Sequence, residues 1–268
     1  MLTAAQIEAF HRSGYLVVED VLDAPLLTSI KTEYETLLTD LLTAWNMPLS
    51  GDFEANLIAA YQAGHDWFQP MDISLPGDRI TEDTQMHFGP AVFDMVTAPR
   101  LLDMVEDLIG PEITSCPIQH VRIKPPERVL NADEIRAHVG ETDWHQDRAV
   151  ALEEADNTDM VTVWLAITDA TVENGCLQVV PGNGDLLPHC PQRQTSIADG
   201  FVNTTQAIPL PVEAGGAILF HPMTPHASLP NLSDGIRWSF DLRYTRTCLL
   251  YTSPSPRDLS TSRMPSSA

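Results

Sequence analysis

The sequence predicts a mainly β protein with flanking helices, a sandwich or jelly roll built in its C-terminal half. Two observations carry this. After residue 111, short apolar or alternating runs follow one another, separated by Gly, Pro, Asn and Asp, with no helical pattern between them. Before residue 111, apolar residues recur mainly at helical spacing. A parallel α/β sheet needs a crossover, usually a helix, between successive strands, so the second half argues against one.

The elements follow in order. Thr3 caps a helix over "AAQIEAFHRSG" that stops at Gly14, and "YLVVEDVL" is a short strand. Asp23 caps "APLLTSIKTEYETLLTDLLTAW", with Pro25 in the first turn, where it is tolerated. Leu26, Leu27, Ile30, Tyr34, Leu37, Leu38, Leu41 and Leu42 keep helical spacing along it. Residues 46 to 80 read as irregular, with "HDWFQPMDISLPGD" an aromatic loop. "APRLLDMVEDLIGPE" is another helix, opened by Pro99 and closed by Gly110. The expected strands are "ITSCPIQHVRIKPP", "DMVTVWLAITDA", "GCLQVVPG", "AIPLPVE", "GGAILFHPM" and "IRWSFDLRYTR". Gly175 and Gly182 read as turn glycines. Together these give one domain over residues 1–247, helical to about 110 and jelly roll from about 111.

Composition bounds the partners. A formal charge of −22 argues against nucleic acid and anionic membrane, both of which want a basic surface. Lys31 and Lys124 are the only lysines and the other basic residues are arginines, so positive charge is scarce and an arginine pointing inward is notable. No basic start with an apolar run opens the chain, and no stretch approaches a membrane span. Cys116, Cys176, Cys190 and Cys248 lack CxxC spacing and read as free thiols of a cytoplasmic protein. From Cys248 the composition shifts to Ser, Pro, Thr and Arg: "CLLYTSPSPRDLSTSRMPSSA" resembles a translated sequencing adapter, so residues 248–268 are expected to be non-native.

The chemistry starts at "ETDWHQDRAV", residues 141–150. In an extended segment, residues i and i+2 face the same side, so His145 and Asp147 would offer an imidazole and a carboxylate to one point. The stretch from Ile218 to Tyr244 adds His221, His226 and then Arg237 at the start of a strand. Two histidines and one carboxylate occupy one face of an octahedral iron and leave three positions open. A bidentate 2-oxo acid and O₂ can fill them, and a buried arginine suits the far carboxylate of that acid. Either histidine of the pair satisfies this pattern.

The chain resembles the phytanoyl-CoA dioxygenase family of Fe(II)- and 2-oxoglutarate-dependent dioxygenases over nearly all of residues 1–246. The matching segments are "FHRSGYLVVEDVL", "VRIKPP", "DWHQD", "VWLAITDATVENGCLQVVPGNG", "HPMTPHASLPN" and "RWSFDLRY". The resemblance implies a double-stranded β-helix, the cupin-like jelly roll. It implies Fe(II) held by His145, Asp147 and His226, the last in preference to His221. It implies 2-oxoglutarate held by Arg237 through its C5 carboxylate, with Ser228 beside it, Trp164 lining the pocket, and His120 at a pocket position that varies among relatives. The implied reaction consumes O₂, decarboxylates 2-oxoglutarate to succinate and CO₂, and hydroxylates a small organic substrate. Halogenating relatives lack the carboxylate that Asp147 supplies, so hydroxylation is the expected outcome. The rival expectations are a metal-binding jelly roll without oxygenase chemistry, or an isomerase or hydrolase of the cupin type. The substrate pocket is expected from "HDWFQPMD", the segment from Lys124 to Asp143 and the residues after Asp147, with Arg148, Arg122 or Lys124 meeting an acidic group.

Overall fold

The computed structural model describes residues 1–49, 51–76, 80–132, 134, 139–150, 158–190 and 196–247. The proposed adapter segment, Cys248 included, lies outside the described residues, as do parts of the segments expected to line the substrate pocket.

The first helix, α1 (Ala4–Ser13), is capped by Thr3 in a reciprocal box with Gln6 and ends on Gly14 at φ 78°. Strand β1 (Tyr15–Val18) follows, then α2 (Ala24–Ala44), whose Asp23 cap accepts from Leu26 N. Ile30, Tyr34, Leu38 and Leu42 form the buried stripe of α2, each one turn from the next. The segment read as irregular contains two helices, α3 (Phe53–Gln62) and the short α4 (Phe68–Met71). Asp52 caps α3 and Leu57, Ala60 and Tyr61 are buried, so a single short amphipathic face was enough where no long periodic run existed. Helices α5 (Pro90–Val96) and α6 (Pro99–Ile109) complete the helical part; α5 had no counterpart in the expected elements.

The strands then run β2 (Ile113–Ser115), β3 (His120–Lys124), β4 (Met160–Ala166), β5 (Leu177–Val179), β6 (His189–Cys190), β7 (Ser196–Ile197), β8 (Ile208–Leu210), β9 (Ala217–Phe220), β10 (His226–Ser228) and β11 (Arg237–Arg246). The expected run 113–124 divides around Pro117, and β6, β7 and β10 are too short to announce themselves by periodicity. The larger sheet is ordered β1-β9-β4-β11-β2, with β3 also on β11; the smaller is β10-β5-β8. Every pairing is antiparallel. An isolated bridge from His145 to His226 prolongs the smaller sheet. This is the double-stranded β-helix, with the helices packed on the outside of the larger sheet.

Alternation on the strands divides the core in two. Val163, Leu165, Leu219, Trp238, Phe240 and Leu242 face the helices, against Ile30, Tyr34, Leu57, Met95 and Leu101. Trp164, Ala166, Ile218 and Phe220 face inward, against Leu177, Val179 and Leu210 of the smaller sheet. The odd-numbered residues of β11 share that inward face: Arg237, Ser239, Asp241 and Arg243, all polar. Among the described residues, no helix is long and apolar enough to cross a membrane.

Candidate metal centre

A pair of histidines stands at the β10 edge of the smaller sheet. His145 N donates to His226 O and His226 N to His145 O, both at 3.0 Å, so the backbone holds the two rings side by side. Their centroids lie 4.2 Å apart, and Phe220 stacks on His226 at 4.4 Å. The chain is extended at His145 but turns into a short 3-10 helix at Asp147, so the simple i, i+2 strand argument holds only for its first half. Gln146 fixes that turn. Its side chain donates to Asp185 O and Met223 O and accepts from Leu187 N, and its backbone N–H donates to His189 Nε2.

Both imidazoles are locked in one tautomer. A carbonyl only accepts, so Nδ1–H of His145 points at Asp143 O and Nδ1–H of His226 at Thr224 O, each at 2.9 Å. The lone pairs of both Nε2 atoms then face Asp147, whose Oδ1 lies 4.0 Å from His145 Nε2 and whose Oδ2 lies 3.7 Å from His226 Nε2. Burial, followed by the neighbouring His226, pushes the His145 imidazole down to about 3, so it stays neutral at ordinary pH. Burial alone would raise the Asp147 carboxyl; Arg243 foremost, with His226 and His145, drives it well below the usual carboxylate range. Asp147 is 1% exposed and its Oδ2 has no hydrogen-bond partner. Ligating atoms from the three residues lie within 4.8 Å of one another. Three acceptors therefore converge with no proton between them, which is the condition a divalent cation relieves.

A second cluster stands at the other end of the cavity. Arg237 is 1% exposed, donates from Nη1 to Ser239 Oγ at 2.7 Å, and leaves its Nε without a partner. Its guanidinium lies 5.2 Å from the centroid of the Trp164 ring. Burial brings it down to about 10, so it remains charged. Lys124 stands opposite Arg237 in the β3–β11 register and is 2% exposed. Its ammonium donates to Ser228 Oγ, which also accepts from Thr142 N at 2.8 Å. Burial, then Arg237 and Arg122, lowers the Lys124 amine well below its ordinary value. The walls of the cavity include His145, Asp147, His226, Trp164, Arg237 and Lys124.

Other expected positions fall elsewhere. Ser228 lies behind Lys124 and is not part of the cavity wall. His120 also stands outside it, bound through Nδ1 to Asp72 Oδ2 at 2.7 Å. Arg122 does line the cavity, but its Nε is held by Asp241 at 2.6 Å. Arg148 donates to Thr158 O at 2.8 Å and, with His221, borders a different hollow. The residue that sequence reasoning missed is Arg243. It donates from Nη2 to Asp147 Oδ1 and from Nη1 to Ile118 O at 2.9 Å. Arg243 thus holds Oδ1, and Oδ2, 3.7 Å from His226 Nε2, is left without a donor. The signal was present: Arg243 follows Arg237 by an even number of residues on one strand, so both face the same side.

Comparison with known proteins gives the family and the fold. The family model "Phytanoyl-CoA dioxygenase (PhyH)" matches residues 10–239. A probable phytanoyl-CoA dioxygenase of Caenorhabditis elegans is 25% identical over 257 residues, covering 91% of this chain and 75% of that protein. Among solved structures, EvdO2 of Micromonospora carbonacea var. aurantiaca, complexed with 2-oxoglutarate, superposes with a TM-score of 0.61 at 22% identity over 92% of each chain. The α-ketoglutarate-dependent epimerase SnoN from nogalamycin biosynthesis superposes with a TM-score of 0.57 at 19% identity, over 90% of this chain and 82% of SnoN. With a family model spanning most of its length and a His-Asp-His cluster in the jelly roll, the chain belongs to the phytanoyl-CoA dioxygenase family of Fe(II)- and 2-oxoglutarate-dependent oxygenases.

Proposed function

We propose that this protein hydroxylates a small organic molecule, using 2-oxoglutarate as the co-substrate that is decarboxylated to succinate and CO₂. The observation that carries the reading is the pairing of three converging acceptors, His145, Asp147 and His226, with a buried, under-bonded arginine in the same cavity. Bound by those three residues, iron supplies the redox chemistry that couples O₂ to oxidation of the substrate. The protein does the rest. Arg237 offers a fork pre-set by Ser239, and its free Nε suits a carboxylate. Lys124, steadied by Ser228, adds a second donor, and an entering anion restores the charge that burial disfavours. Trp164 covers the guanidinium and keeps water away from it. Asp147 fills the place that a chloride would need, which favours hydroxylation. The same reading treats residues 1–247 as one catalytic unit, with the helices buttressing the sheet that carries the site.

The test is an anaerobic titration of the ferrous protein with 2-oxoglutarate, followed by the weak visible charge-transfer band of a chelated 2-oxo acid. Arg237→Ala should need roughly 30-fold more co-substrate, the effect of truncating one partner of a buried charge contact worth about 2 kcal/mol. Absence of the band in a folded, iron-loaded protein refutes the reading. Because SnoN is an epimerase on this fold, the product decides the reaction type: hydroxylation adds one oxygen atom to the substrate, whereas epimerisation leaves its mass unchanged.

A further inference from the structure

The metal cavity holds a hydroxyl with nothing to bond. Thr162, on β4, is 3% exposed, lines the cavity with His145, Asp147 and His226, and its Oγ1 has no hydrogen-bond partner. Burying an unpaired hydroxyl is unfavourable, and valine would fill the same volume with an equally good strand preference. The hydroxyl is not engaged by the metal-binding carboxylate either, since Asp147 Oδ2 is equally without a partner.

Its position along the cavity indicates what it could serve. In the β4–β11 register Thr162 stands opposite Arg243, and Trp164 opposite Asp241. Arg243 holds Asp147, so Thr162 marks the metal end. Trp164 lies against the Arg237 guanidinium, so it marks the far end. Two residues of one strand face span roughly 6.6 Å, the scale of a five-carbon dicarboxylate. Arg243 Nε, opposite Thr162, is also a buried donor without a partner, so this end of the cavity favours an acceptor.

We propose that Thr162 Oγ1 donates a hydrogen bond to the 1-carboxylate of the 2-oxo acid, at the end of the cavity opposite Arg237. This makes Thr162 a co-substrate-binding residue, and it rests on the reading of the site given above. Because valine has the same shape, the test does not depend on tolerating a cavity or a clash.

Thr162→Val and Thr162→Ser are compared with the wild type in two measurements: thermal unfolding of the metal-free protein, and anaerobic titration of the ferrous protein with 2-oxoglutarate. Thr162→Val should unfold at the same or a higher temperature, yet need about tenfold more 2-oxoglutarate, the size of one hydrogen bond to a charged partner. Thr162→Ser should titrate within about twofold of the wild type, since the hydroxyl is kept. Arg237→Met serves as the far-end control: its deficit should vanish with pyruvate, which lacks the second carboxylate, while that of Thr162→Val should persist. Unchanged 2-oxoglutarate affinity in Thr162→Val overturns the proposal. So does a lower unfolding temperature that Thr162→Ser does not share, because the hydroxyl would then be structural. A deficit seen with 2-oxoglutarate but not with pyruvate also overturns it, placing the hydroxyl at the wrong end. If the wild type itself shows no band, the reading of the site fails, and the failure is distinguishable from that of Thr162 alone.

Discussion

Replacing Arg243 by methionine should expose how the metal site is held ready. Methionine keeps much of the packing volume and removes the charge. In the native protein Arg243 donates to both Asp147 Oδ1 and Ile118 O, and the side chains of Arg243 and Asp147 are 5% and 1% exposed. Without the guanidinium, neither oxygen of Asp147 has a donor, and the nearest rings are imidazoles that present lone pairs. Removing one partner of a buried ion pair costs about 3–5 kcal/mol. At about 2–4 °C per kcal/mol for a chain of this size, the metal-free protein should unfold roughly 10 °C lower. Asp147→Asn in the Arg243→Met background should recover most of that loss, because the stranded charge is gone. A divalent ion such as Co(II) should stabilise Arg243→Met more than it stabilises the wild type, since it supplies the missing positive charge. Thermal unfolding of the four proteins, with and without Co(II), measures all of these. A small loss for Arg243→Met, or one equally large when Asp147 is already Asn, would falsify the reasoning.

Two more predictions follow from the same geometry. The His145 imidazole sits near 3 in the fold, below its ordinary 6.5, so between those values the unfolded chain binds a proton that the folded chain does not. Stability of the metal-free protein should therefore fall as pH drops from 6.5 towards 3, by at most about 1.4 kcal/mol per pH unit from this group. Urea midpoints in chelator across that range measure it, and the slope should flatten in His145→Gln. Gly14 has φ 78°, and a Cβ there would collide with Thr224 Oγ1 and lie 2.5 Å from Gly182 O. Because Thr224 O fixes the tautomer of His226, Gly14→Ala should cost about 1–3 kcal/mol for the backbone conformation alone and weaken Co(II) binding. Unfolding temperature and a Co(II) titration check both parts, and tight Co(II) binding in a destabilised variant would separate the two effects.

The local signals were legible in the chain because they need only neighbours. Thr3, Gly14, Asp23 and Gly110 mark helix ends whatever the rest of the protein does. The alternation in "RWSFDLRY" marks a strand with one polar face. Helix α3 escaped because a ten-residue helix gains its stability from the core it packs against, and its sequence shows only part of that face. Strand β10 escaped because three residues carry no period.

The sequence by itself determined the kind of chemistry: a histidine and an aspartate two apart, a later histidine, and an arginine opening the next strand. Side-chain type sets which atoms can bind a metal or a carboxylate, and those types are printed in the chain. Only the tertiary structure decided how the residues share the work. His145 and His226 are distant in sequence and become neighbours through a backbone bridge at the edge of the smaller sheet. Arg122 is among the residues expected to meet an acidic group, but Asp241 takes it; Lys124 is brought instead against Ser228, beside Arg237. Thr162 joins the site through strand register, which depends on long-range pairing; Arg243 shares the face of Arg237 by strand alternation, but only the fold brings Asp147 to it. The physical reason is burial. Whether a charge is paired, stranded or free to receive a ligand depends on what surrounds it in three dimensions, and the order of the residues does not contain that.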